Sequence, residues 1–237
     1  MSKKNNSSIF YIMSIAYVLF ALLLSVHFWS FNESFYKDQH DKLLLYGQHI
    51  SEYIGFSDDD LAELTHFTLD YLNNPKASLD KQMDIKGQMR EVFTDDEKAH
   101  MVDVQRLNLA ANYLCIISLI VFVIGIIKTM IRKKDINDFY KAYRNVLKVM
   151  LGIIAVLGIW IIIDFDSFWN SFHHVFFPGN DLWILDLRKD ILIMIVPPEF
   201  FNNLVIRIVI TFVLMIVLLY VLLYLIGRKK HDKYRTL

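Results

Sequence analysis

Cysteine is nearly missing from this chain of 237 residues. The single Cys115 falls inside a long apolar run, which excludes a disulfide framework and leaves no accessible thiol nucleophile. The signatures of familiar hydrolases and nucleotide binders are missing as well. There is no G-x-S-x-G elbow, no H-E-x-x-H and no glycine-rich phosphate loop. Internal repeats and low-complexity tracts are absent. The middles of the long apolar runs carry no Asp, Glu, Lys or Arg, which argues against an ion pathway or a proton relay through them. Arg207 comes nearest and is close enough to the outer end of its run to snorkel. An enzyme built from this chain has to work with imidazole and carboxylate, without an acyl-enzyme nucleophile.

What the chain has in excess is apolar residues, 55% of the total, with 14% aromatic. They are grouped. Crossing a bilayer takes ~20 predominantly apolar residues, and four runs reach or approach that length, at about 9–28, 107–127, 146–163 and 204–226. The third is interrupted by Gly152 and Gly158, of the kind that lets membrane helices approach one another closely. The first follows Lys3 and Lys4 but ends in "VHFWSF", without a small-x-small cleavage pattern, and is read as a retained anchor. The fold expected is all-α, with four transmembrane helices in a single integral membrane domain over 1–237.

The formal net charge of zero conceals an asymmetry. Segments 1–8, 128–148 and 227–237 carry two, seven and five Lys+Arg, against only Asp135, Asp138 and Asp232. The remaining 11 Lys+Arg face 22 Asp+Glu elsewhere in the chain. Short loops rich in Lys and Arg stay inside. Both termini are therefore expected on the cytoplasmic side, with 29–106 and 164–203 outside. The basic patches face anionic lipid, which accounts for them without nucleic acid.

The first outer segment holds "GFSDDDLAELTHFTLDYLNN". Ser57 is placed as an N-cap, acids fill the first turn, and Leu61, Leu64, Phe67, Leu69 and Leu72 recur at helical spacing. This predicts a small helical extracytoplasmic cap. His40, His49 and His66 lack metal-ligand spacing and are expected as solvated surface residues. Thr94 with Glu97 three residues on is a capping-box pattern, so a helix starts near Thr94 and runs unbroken into the second span. His100 and Asp103 then share a face, one turn apart. His100 precedes Leu107 by seven residues, which places it ~10 Å outside the hydrocarbon edge.

The second outer segment is an aromatic belt, with rings at 165, 168, 169, 172, 176, 177 and 183. It contains His173 and His174, the turn "PGN", and a stretch interrupted by "DLRKD". Pro198 and Glu199 suit the opening of the fourth helix. His100 and His173 thus come from different helices to one side at similar depth, and polar groups paired in such a layer mark a site.

The runs "EKAHMVDV", "FHHVFFPGNDLWILD" and "DILIMIVPPEFF", in that order and with this span count, resemble the lipoprotein intramolecular transacylase family of bacteria. One departure is Leu187 after Asp186, where the family tends to have proline. The family register of F-H followed by a Phe pair selects His173 over His174. The resemblance implies a multi-pass protein of the bacterial cell membrane and a reaction without cofactor. The sn-2 acyl chain of a diacylglyceryl-modified lipoprotein would pass to the α-amino group of that lipoprotein's own N-terminal cysteine. His100 and His173 would share the acid–base work, with Asp103 either orienting His100 or standing as a helix-surface acid. Phe176, Phe177 and Trp183 would shape the acyl pocket or anchor the interface. Asp186, Arg188 and Asp190 would hold the substrate backbone or pair with each other. Two other classes remain: a membrane sensor or assembly factor whose outer cap binds a ligand, and a metal site made from the histidines and Asp103, although no short-spaced ligand pair supports it.

Overall fold

The computed structural model describes residues 2–131 and 136–235, without the side chains of 2–7 and 229–235. Lys3, Lys4, Arg132, Lys133, Lys134, Asp135, Lys229, Lys230, Asp232, Lys233 and Arg235, which enter the charge asymmetry, lie outside the described side chains. The elements in chain order are α1 (Ser2–Ser30), α2 (Glu33–Lys42), β1 (Leu44–Leu45), β2 (Gln48–His49), α3 (Ile50–Ile54), α4 (Asp58–Asn73), β3 (Gln82–Ile85) and β4 (Gln88–Glu91). They continue with α5 (Asp95–Ile131), α6 (Ile136–Ile163), α7 (Phe165–Phe176), α8 (Ile191–Ile195) and α9 (Pro198–Arg235). Helices α1, α5, α6 and α9 each contain a stretch long and apolar enough to cross a membrane. The four expected runs sit inside them.

The chain divides into two compact units. The first comprises 1–26, 112–165 and 208–237. Its described residues are helical apart from Asp164, with a core of Phe10, Met13, Phe139, Tyr143, Phe212 and Ile216. Polar groups inside it are bonded locally or to backbone, as an apolar surround demands. The Tyr143 hydroxyl donates to the Ile216 carbonyl at 2.8 Å and the Tyr17 hydroxyl to that of Met215 at 2.9 Å. Outward residues such as Ile116, Ile120, Val156 and Ile162 are exposed apolar side chains, suited to lipid. The glycine that permits close packing is not one of the expected pair. A Cβ at Gly152 or Gly158 would meet nothing within 4 Å, whereas at Gly125 it would fall on the Met13 side chain. Gly125 lies toward the C-terminal end of its run, where the Met13 side chain of α1 packs directly against it.

The second unit comprises 27–111 and 166–207. Its core gathers Ile50, Ile54, Leu61, Leu64, Met83, Phe93, Met101 and Ile191 to Ile195, so short elements far apart in sequence share one interior. Helix α4 starts as its sequence dictates, with Ser57 and Asp60 forming a reciprocal capping box. Two hairpins, β1–β2 and β3–β4, accompany the helices. Each turns on two residues with positive φ, Tyr46–Gly47 and Lys86–Gly87, the geometry that matches strand twist. Strands of two and four residues leave little alternation to detect in a sequence.

Two residues differ from expectation here. His40 is buried, not solvated: its Nε2 lies 2.9 Å from the Ile195 carbonyl oxygen. His49 is exposed, and exposed His66 lies 2.8 Å from Glu33. Arg207 does not simply snorkel. It pairs with Asp38 at 3.5 Å and lies over the rings of Trp29 and Phe35, each 5.0 Å from its centre.

Candidate active site

Helix α5 is 37 residues long, about 55 Å at 1.5 Å per residue, well beyond a hydrocarbon core of about 30 Å. Its first turns are therefore free to carry side chains outside the apolar run. The start is fixed by the expected capping box: the Thr94 N–H donates to Glu97 Oε2 at 2.6 Å, and the Glu97 N–H to Thr94 Oγ1 at 3.3 Å. Glu97 does more than cap. Its side chain is fully buried, and its Oε1 accepts the Leu192 N–H at 2.6 Å. The start of α5 is thereby fastened to the start of α8, and the second half of that bond has no signature in residue spacing.

One turn further on, His100 is buried and faces His173 from α7, with ring centroids 6.2 Å apart and planes tilted by 36°. Phe177 packs against both, at 5.2 Å from His100 and 5.6 Å from His173. Trp183 stacks on His173 at 4.6 Å and 23°, and Trp169 meets it edge-on at 4.6 Å. Asymmetry within the double histidine is plain. His173 is buried, while His174 is exposed and touches Trp183 only at right angles.

His173 Nδ1 lies 2.8 Å from the Trp169 carbonyl oxygen. A carbonyl only accepts, so Nδ1 carries the proton and Nε2 the lone pair of the neutral ring. Burial holds His173 below its ordinary pKa; the Trp169 carbonyl opposes this and the neighbouring His174 adds to it. His100 Nδ1 is enclosed without a partner. Two imidazolium ions this close in a desolvated cluster repel strongly, so the pair holds at most one extra proton at a time.

Asp103 sits on the same face of α5 as His100, yet its carboxylate is engaged elsewhere. Oδ1 accepts from Arg106 at 3.3 Å and Oδ2 from Asn180 at 3.2 Å. These groups, with Leu107, Phe176, Phe177 and Pro178, line a cavity of about 360 Å³ beside the histidine pair. Asn180, in the "PGN" turn, and Arg106 are site residues that sequence reasoning missed; the turn was visible, its bond to Asp103 was not. Asp186, Arg188 and Asp190 pair among themselves. Arg188 makes two bonds to the Asp186 carboxylate, at 3.0 and 2.8 Å, and holds its carboxyl down to about 2. The Arg188 N–H also donates to Asp186 Oδ1 at 2.9 Å, so an Asx turn shapes the bend despite the lack of a proline after Asp186. Buried Asp190 accepts the Asp186 N–H at 2.7 Å. Among the described residues, no group of three or more His, Cys, Asp or Glu is placed to hold a metal ion.

A family model described as lipoprotein intramolecular transacylase Lit matches residues 11–201. No curated protein matches the chain. Among solved structures, the membrane-integral lipoprotein intramolecular transacylase Lit from Bacillus cereus aligns with a TM-score of 0.75 at 21% identity, over 99% of this chain and 100% of that one. A histidine-to-arginine variant of the Bacillus cereus protein aligns at 0.71 and 20% identity, over 95% and 93%. A histidine-to-alanine variant aligns at 0.67 and 21%, over 97% and 94%. At these identities the structures speak for a shared fold, and the family match speaks for more.

Proposed function

The chain belongs to the lipoprotein intramolecular transacylase family, multi-pass membrane acyltransferases of lipoproteins, and from that premise we propose that it moves the sn-2 acyl chain of a diacylglyceryl lipoprotein to the α-amine of the same molecule's N-terminal cysteine. The amine nitrogen attacks the ester carbonyl carbon. The ammonium first loses one proton to solvent; as the C–N bond forms and the C–O bond to the glycerol sn-2 oxygen breaks, the nitrogen gives its second proton to one imidazole, and the other passes one proton to the leaving alkoxide, so that the pair carries a single extra proton throughout. The product is an N-acyl, lyso-form lipoprotein.

The observation that carries this reading is the buried pairing of His100 with His173 inside a cage of aromatic rings. Donor and acceptor lie on one molecule, so confinement in a single conformer removes much of the entropic barrier and no protein nucleophile is needed. An α-amine has a reference pKa of about 8, within reach of a neutral imidazole acting as base. His173 Nε2, whose lone pair is fixed by the Trp169 bond, and His100 fill the two roles. Asp103, anchored by Arg106 and Asn180, stabilises the transient imidazolium through space. Phe176 and Phe177 bound the cavity that takes the substrate. Asp186, Arg188 and Asp190 hold the bend after Trp183 and in this reading serve the substrate by placing that ring.

The charge asymmetry supports an orientation with both termini in the cytoplasm and the histidine pair on the extracytoplasmic side. The test is mass spectrometry of a lipoprotein's N-terminal peptide, in a bacterium with no other N-acylating enzyme, with and without this chain. An acyl group on the cysteine amine with one chain lost from glycerol is the expected result; an unchanged diacylglyceryl peptide overturns it.

A further inference from the structure

Trp183 is half-buried as a residue, but the end of its indole that carries Nε1 is enclosed, and that nitrogen has no hydrogen-bond partner. An indole N–H can only donate. Natural structures rarely leave such a donor dry, and each exception asks for a reason. None of the rings packed on Trp183 supplies an acceptor. His173 lies face to face with it and His174 meets it at right angles, without a hydrogen bond in either case. The bend that follows, held by Asp186, Arg188 and Asp190, fixes the indole against His173, the very ring that holds the basic lone pair.

On the reaction proposed above, the chemistry beside His173 creates one strong acceptor, and the donors already described in the cavity, Arg106 and Asn180, are turned to Asp103. When the amine adds to the ester carbonyl, the electron pair of the C=O moves onto oxygen. Both imidazoles are occupied with protons, on the amine and on the leaving oxygen. Asp103 carries the wrong charge for an oxyanion. We infer that Trp183 is a catalytic residue whose Nε1–H donates to the ester carbonyl oxygen as that oxygen becomes negative. The donor is held by stacking, so once the arriving substrate has parted the side chains that enclose Nε1 its dipole stays fixed as charge develops, which is the condition under which such donors count most. It is free in the resting protein because its acceptor arrives with the substrate.

The test uses the full-length protein and a diacylglyceryl lipopeptide in mixed micelles, with steady-state kinetics read by mass spectrometry. Position 183 is filled by suppression with benzothienylalanine, which keeps the fused-ring shape but puts sulfur in place of N–H. Trp183→Phe serves as a second variant, and melting temperatures confirm that both fold. Loss of about 10²–10³ in kcat, as for one oxyanion donor, with KM within a few-fold, is the expected result for the isostere. A wild-type kcat in the isostere overturns the inference, as does a loss confined to KM. Failure of the wild-type chain to form N-acyl product would instead strike the reaction on which the inference rests, so the two failures are told apart.

Discussion

The carboxylate of Glu97 accepts the backbone N–H of Leu192 at 2.6 Å while also taking that of Thr94 at 2.6 Å. Through this one buried side chain, the helix that carries His100 is tied to the segment that follows Trp183. Glu97→Ala leaves the buried Leu192 N–H without an acceptor, at about 1–3 kcal/mol, and removes the cap bond from the N–H of exposed Thr94. A clear drop in melting temperature in detergent is expected, with Glu97→Gln between the variant and wild type because its remaining carbonyl satisfies one donor.

The two buried histidines should be separable from the exposed one. His100→Ala and His173→Ala are each expected to lower the rate of N-acylation by at least about 10²-fold, the usual scale for a positioned acid or base, while membrane levels stay unchanged. His174→Ala should transfer acyl chains at close to the wild-type rate. Mass spectrometry of the lipopeptide reads all three.

The pH profile follows from the burial of His173, which sets its pKa below the ordinary value of about 6.5. In the proposed reaction its neutral ring is the base, so kcat/KM should show one limb centred below that value and a second at about 8, where the substrate's own amine loses its proton. The same depression has a sign for stability. The unfolded chain binds the proton first as pH falls, so the contribution of neutral His173 is complete above about 6.5 and is lost as pH drops toward the folded value. A profile whose lower limb is absent, or is unchanged in His173→Ala, would contradict the assignment.

Phe177 packs against the rings of both His100 and His173 and is itself buried. Phe177→Ala removes the wall that sets their separation. A misplacement near 1 Å can cost about 10²-fold, and a loss of that order in kcat is expected. Phe177→Leu, which keeps most of the volume, should recover a good part of it.

Chelation separates acid–base from metal chemistry. Among the described residues no third ligand joins the two histidines, and Asp103 is bonded to Arg106 and Asn180. Activity measured after exhaustive treatment with a strong chelator should match the untreated protein.

Much of this was legible in the residues because it is local. Thr94 and Glu97 stand three apart and form the box their spacing predicts, and Ser57 caps α4 as expected, with Asp60 completing a box there as well. The four spans follow from apolar run length alone. The hairpins were not legible, because strands of two to four residues carry too little alternation and their turns rest on Tyr46–Gly47 and Lys86–Gly87 instead of a stronger pair such as Asn-Gly. The same holds for the bonds that finish the site. Glu97 to Leu192 spans 95 residues and Asn180 to Asp103 spans 77, and no periodicity encodes a partner at that distance. His40 was misjudged for this reason too, since its burial depends on Ile195, 155 residues away.

The anchor at Glu97 and the imidazole of His100 are three residues apart on one unbroken helix, so that stretch works as a ruler graduated in steps of 1.5 Å and 100°. Its zero is nailed down by Leu192. Adding one residue between Glu97 and His100 would swing the imidazole about 100° around the helix axis, away from His173, whereas an added residue at the tip of the β3–β4 hairpin would be absorbed by the loop. Evolution of this segment is thereby confined to substitution: any change of length there costs the enzyme its geometry in a single step.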